Sequence, residues 1–215
     1  MQVWAVDLDC RGGDIGVLSA HERACAGRFK RPDERRRSLE AHCAVRRILA
    51  LQLCVDAGHL EFDATDAGKP FLTKPAQALQ FNLSHSGRHS LIAVAEDRSV
   101  GVDIEMSRPM SDILGVAMSI ATAQEIDLLR QLPAGEMHSS FFDLWTRKEA
   151  LLKAIGRGFL VDPRQAEVGI GQGRCYVTFD ARVWTVESLA VSASVRAAVA
   201  IDGELTTELA VRPFL

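Results

Sequence analysis

One short pattern occurs twice in this chain, and it narrows the folds open to it. Ser19-Ala-His-Glu22 and Thr122-Ala-Gln-Glu125 both match the S/T-x-x-E capping box, in which a hydroxyl and a carboxylate satisfy orphan amides at a helix start. Each box leads, past a proline break, into a long run of helical period. At the offset between the boxes, Leu39, Ile48 and Leu49 map onto Phe142, Leu151 and Leu152. Each half would then be a short capped helix, a long helix and a small antiparallel sheet, with coincident spacing as the alternative. A chain of 215 residues that is 47% hydrophobic can bury one large core or two small ones. The expected fold is α+β in two similar halves, 1–107 and 108–215, with the cleft between them as the natural place for a ligand.

The first long helix is expected from about Asp33 to Cys54 and the second around Trp145. Between them, LIAVAE and VGVDIE are the firmest strands, set off by Asp-Ala-Gly, Lys-Pro and Ser-Gly-Arg turns. From Ala166 onward, CYVTFD, VWTVESLAV, VRAAVAI and TELAV read as antiparallel strands. A formal charge of −3 gives no global basic field and argues against nucleic-acid binding. No apolar run reaches the roughly 18 residues a membrane span needs, and MQVWAVDLDCRGG does not read as a secretory leader. Five scattered cysteines read as reduced thiols in a cytoplasmic protein.

Four stretches could carry chemistry. In Phe141–Phe159, Trp145, Glu149 and Lys153 fall at i, i+4 and i+8 and so share one helix face; a surface charge pair is the bland alternative. In Gly101-Val-Asp-Ile-Glu105 the side chains alternate, so Asp103 and Glu105 point one way, about 7 Å apart, while Val102 and Ile104 enter the core. Two such carboxylates repel unless a cation joins them. With Glu149 they form an all-oxygen set suited to magnesium, against a solvated strand face. Phe81-Asn-Leu-Ser-His-Ser86 gathers hydroxyls, an imidazole and free amides suited to a phosphate or a nucleotide edge. In Gly68-Lys-Pro-Phe71, proline holds Lys69 extended, which would aim its ammonium at a phosphate. The basic run Arg28–Arg37 is a local positive patch, or only a solvated helix start.

Together, and in this order, GKP, FNLSHS, GVDIE and WTRKEALLKAIGRGF resemble the 4′-phosphopantetheinyl transferases of the surfactin-synthetase-activating (Sfp) type, over roughly positions 68 to 160. The resemblance implies two α+β halves with coenzyme A between them, and Asp103, Glu105 and Glu149 as magnesium ligands. It further implies Ser84 and His85 at the 3′-phosphoadenosine end, Lys69 and Pro70 along the same ligand, and Lys148 and Lys153 on the phosphates. Glu125 stands where the family places a general base, with Glu149 as its rival. Ser38 matches a nucleotide-contacting hydroxyl. The early lysines of the family are unmatched at Glu22 and Cys25, so Arg28, Lys30 and Arg31 would take their role. Ala121-Thr122 replaces an aromatic and serine, and Phe159 replaces a leucine.

The implied reaction moves 4′-phosphopantetheine from coenzyme A to a serine of an apo acyl or peptidyl carrier protein and releases 3′,5′-adenosine bisphosphate. The enzyme would be a monomer, with the arginine patch as the docking surface for an acidic carrier. A coenzyme A- or nucleotide-binding module without transfer, and a magnesium-dependent nucleotide hydrolase, are the other two readings; the lack of a P-loop weakens the second.

Overall fold

Both capping boxes form. Ser19 Oγ accepts from Glu22 N at 3.2 Å and the Glu22 carboxylate accepts from Ser19 N at 2.7 Å. Thr122 and Glu125 repeat the exchange at 3.2 and 2.8 Å. These caps open α1 (Ala20–Gly27) and α4 (Ala123–Gln131), which lead into α2 (Pro32–Leu53) and α5 (Ala134–Ile155), both 22 residues long. A further short helix, α3 (Ile113–Ile120), is capped by Asp112. The computed structural model describes residues 1–10, 12–76 and 79–214, without the side chains at 134 and 159; the packing change expected at Phe159 lies outside the described residues.

Ten strands complete the described chain: β1 (Gln2–Asp7), β2 (Glu61–Ala64), β3 (Pro70–Lys74), β4 (Leu79–Ser86), β5 (His89–Glu96), β6 (Val100–Met106), β7 (Arg174–Phe179), β8 (Arg182–Ser188), β9 (Val195–Asp202) and β10 (Val211–Phe214). One sheet has the order β10-β1-β5-β4 and the other β6-β9-β8-β7, while β2 and β3 form a separate ribbon. The last strand departs from expectation twice: TELAV is extended into a strand only from Val211, and β10 returns to the first sheet and pairs with β1 in parallel. The expected division at 107/108 falls after β6, a strand hydrogen-bonded into the second sheet, so the sheets part in the turn between β5 and β6.

Strand alternation stacks these pieces into four layers. Leu91, Ala93 and Ala95 of β5 meet Val100, Val102 and Ile104 of β6 and Val195, Ala197 and Val199 of β9 in a core between the sheets. On the far side of the first sheet, Ile92, Val94, Leu79 and Phe81 pack on Ala44, Ile48 and Leu49 of α2. Beyond the second, Val186, Ala198 and Ala200 pack on Phe141, Leu144, Leu151 and Ala154 of α5. The order is therefore α2, first sheet, second sheet, α5. Among the described residues no helix is long and apolar enough to cross a membrane.

Candidate active site

Strand β6 sits at the edge of its sheet, and its alternation decides what it offers. Val102 and Ile104 enter the core between the sheets, so Gly101, Asp103 and Glu105 face α5. Gly101 lets the helix approach: a Cβ there would lie 2.2 Å from Ala150 O and 2.3 Å from Ala154 N. With the helix this close, Lys153 Nζ donates to Asp103 Oδ1 at 2.6 Å and to Ser84 Oγ at 3.1 Å. Ser84 Oγ in turn donates to Asp103 Oδ1 at 2.9 Å, and Asp103 is only 3% exposed.

The free edge of β6 is sealed by side chains instead of a strand. Asn82 Oδ1 accepts from Val102 N at 2.9 Å, and Ser86 Oγ accepts from Met106 N at 3.1 Å while donating to Glu105 Oε2 at 2.8 Å. Lys69 Nζ donates to Val100 O at 3.0 Å and to Ala154 O at 3.2 Å. Asn82, Ser84 and Ser86 are alternate residues of β4, so one strand face supplies all three. In the sequence the Asn82–Ser86 run reads as a phosphate or nucleotide contact, with Ser84 and His85 singled out. That Asn82 and Ser86 instead serve the edge of β6, and that Gly101 admits α5, is not anticipated there, although for the first two the i, i+2, i+4 polar spacing is the available signal.

Three carboxylates share this face. Burial raises the Glu149 carboxyl above the usual range, and repulsion from Asp103 and Glu105 adds to it against the pull of Lys153. Burial likewise raises Glu105, with Ser86 opposing and Asp103 adding. Asp103 Oδ2 is buried and accepts no hydrogen bond, which leaves one oxygen able to take a cation. Among the described residues, however, no three His, Cys, Asp or Glu side chains are placed so that together they could hold a metal ion. Asp103 is neutralised by the Lys153 ammonium.

Two family models match the chain: "4′-phosphopantetheinyl transferase, N-terminal" over residues 13–97 and "4′-phosphopantetheinyl transferase superfamily" over residues 99–200. The chain is also 34% identical over 209 residues to the 4′-phosphopantetheinyl transferase HetI of Nostoc sp. (strain PCC 7120), an alignment covering 94% of this chain and 88% of HetI. This chain belongs to the 4′-phosphopantetheinyl transferase superfamily. It is an enzyme of that class. It is 30% identical over 144 residues to the 4′-phosphopantetheinyl transferase Sfp of Bacillus subtilis (strain 168), covering 67% of this chain and 62% of Sfp.

In this phosphopantetheinyl transferase several residues expected at the site stand elsewhere. Glu125 has no exposed surface. Its carboxylate accepts from Val168 N at 2.8 Å and Gly169 N at 3.1 Å and pairs with Lys148 Nζ at 2.7 Å, so it cannot reach a substrate proton. Lys148 is 2% exposed and donates to Pro163 O at 2.9 Å and to Ala166 O, so it is not open to phosphates. The first half contains the same device. Arg46 Nη2 pairs with Glu22 at 2.8 Å, and Arg46 Nη1 donates to Ala57 O at 2.8 Å and Leu60 O at 3.0 Å. Arg46 and Lys148 hold the same position in their two 22-residue helices. That register is one residue short of the offset between the capping boxes, so Leu39, Ile48 and Leu49 correspond to Phe141, Ala150 and Leu151 and not to the residues that offset gives.

Ser38 is buried on α2 at 4% exposure, which withdraws its hydroxyl from a nucleotide. Ser84 is occupied by Asp103 and Lys153, and Lys69 by two carbonyls. His85, on the opposite face of β4, and Pro70 are exposed. Arg31 is exposed and pairs with Asp33 at 2.9 Å and Glu34 at 3.6 Å. Arg36 and Arg37 both bind Asp9, at 2.6 and 2.8 Å, so that part of the basic run ties a loop to α2.

Proposed function

We propose that this enzyme moves 4′-phosphopantetheine from coenzyme A to a serine hydroxyl of an apo acyl or peptidyl carrier protein, releasing 3′,5′-adenosine bisphosphate. The observation that carries the reading is the Lys153–Asp103 pair between β6 and α5, with Glu105 and Glu149 near enough to feel the charge of Asp103, in a chain of this family. Asp103, Glu105 and Glu149 would hold Mg2+, a fit supported by the all-carboxylate donor set and by the unpartnered Asp103 Oδ2. When bound, the ion supplies charge neutralisation on the diphosphate.

The remaining work falls to the chain. Lys153 offers its ammonium to phosphate oxygens through charge-assisted hydrogen bonds. Glu149, whose carboxyl is raised above the usual range by burial, takes the proton from the serine hydroxyl as that oxygen bonds to the β-phosphorus. The bond from that phosphorus to the bridging oxygen breaks, and the bisphosphate leaves with the electron pair. Holding the two substrates in line lowers the barrier further. Exposed basic residues at the start of α2, among them Lys30 and Arg35 beside a cleft of about 220 Å³, suit an acidic carrier surface. All five cysteines are free, in keeping with work in the cytoplasm.

Incubating an apo carrier protein with coenzyme A, Mg2+ and the enzyme should add one phosphopantetheine to its mass. A carrier of unchanged mass, with coenzyme A intact or merely hydrolysed, would contradict the reading.

A further inference from the structure

Lysine 69 comes from the first half of the chain, yet both groups it binds belong to the second. Its Nζ donates to Val100 O on β6 at 3.0 Å and to Ala154 O on α5 at 3.2 Å. Both carbonyls sit where the fold leaves acceptors open. Ala154 lies in the last turn of α5, where helix carbonyls are left unpaired, and Val100 sits on a strand whose outer edge meets no other strand among the described residues. A cation there also complements the negative end of the helix dipole. The lysine stem packs on the helix terminator, since a Cβ on Gly156 would lie 3.0 Å from Lys69 Cδ, and Gly156 already adopts a positive φ of 72°. Pro70 keeps Lys69 extended.

The two elements joined in this way carry the reacting groups. Ala154 adjoins Lys153, and Val100 opens the strand that bears Asp103 and Glu105. We propose that Lys69 is a positioning residue that clamps the C-terminus of α5 onto the free edge of β6 and thereby holds Lys153 and Glu149 against Asp103. Burial alone pulls its pKa down to about 8, in keeping with an amine held by carbonyl groups and facing no carboxylate. The role rests on the transfer reaction proposed above, but the clamp itself can be observed without turnover.

The experiment compares wild type with Lys69→Met, which keeps the length of the stem and removes the donors. Amide hydrogen exchange on the free protein should quicken over residues 150–156 and stay unchanged at the end of α2. In the transfer assay kcat should fall by about tenfold with KM for coenzyme A within about twofold of wild type. Lys69→Arg, which can offer N–H groups to both carbonyls, should recover much of kcat. If Lys69→Met does not fold, Lys69→Gln, with one donor group retained, is read in the same way. A raised KM for coenzyme A with unchanged kcat would make Lys69 a ligand contact and overturn the clamp, as would unchanged exchange over 150–156. A wild-type enzyme without transfer activity would instead count against the proposed reaction, whatever the exchange shows.

Discussion

The two halves of this enzyme share a skeleton and a buried ion pair, and they differ in what lies against the leading strand. In the first half β10 covers the edge of β1. In the second the edge of β6 carries Lys69, Asn82, Ser86 and Lys153. Ile92 and Ala198 hold the same position in β5 and β9, and they face Trp4 and Asp103 respectively. Trp4 packs edge-to-face with Phe214 at 6.1 Å, whereas Asp103 binds Lys153. The helix positions of Glu149 and Lys153 are taken in α2 by Arg47 and Leu51, and Arg47 lies 4.9 Å over the Phe214 ring. A duplicated scaffold thus keeps its ion pair in both copies and places the acids only where a strand edge is left for side chains.

The largest effect separating the halves should be catalytic. Asp103→Asn and Glu105→Gln should each lower transfer by at least about a hundredfold with the circular dichroism spectrum intact, while Arg47→Ala should leave kcat near wild type. Next come the ion pairs. Removing one partner of a buried pair costs about 3–5 kcal/mol, so Glu125→Gln should lose that much in urea unfolding. Glu22→Gln should lose less, because the Glu22 side chain is 13% exposed and that of Glu125 is 0%. Equal losses would show that the two pairs do not differ.

Smaller effects sharpen the same contrast. Gly101→Ala should cost about 1–3 kcal/mol by overpacking, because the added carbon meets α5 backbone. A still smaller change concerns pH. The folded enzyme releases the Lys69 proton near 8, below the usual lysine value of 10.5, so the unfolded chain binds more protons between the two. Wild type should therefore gain stability relative to Lys69→Met as pH rises through that window. A constant difference would place the Lys69 ammonium in a wetter setting than its contacts indicate.

Much of this fold is legible in the sequence because its signals are local. Capping boxes, helix periods and the alternation of GVDIE depend on neighbours a few residues apart, and the elements they name are present. The FNLSHS serines read as nucleotide contacts in the sequence because a hydroxyl does not declare its partner; in the fold they serve Asp103 and Glu105. Glu125 reads as a possible base only through the family resemblance, since the capping box by itself accounts for a Glu at that position. The Val168 and Gly169 amides that take its other oxygen, and the Lys148 ammonium that pairs with it, arrive through tertiary packing. The return of β10 to β1 is a long-range pairing that no window of sequence contains.

Whether the three acids on β6 and α5 hold a divalent ion is tested most directly by titrating the enzyme with Mg2+ by calorimetry in the presence of coenzyme A. One ion per chain should bind to wild type, and that binding should be lost in Asp103→Asn, Glu105→Gln and Glu149→Gln. Undiminished Mg2+ binding in all three variants would contradict the assignment.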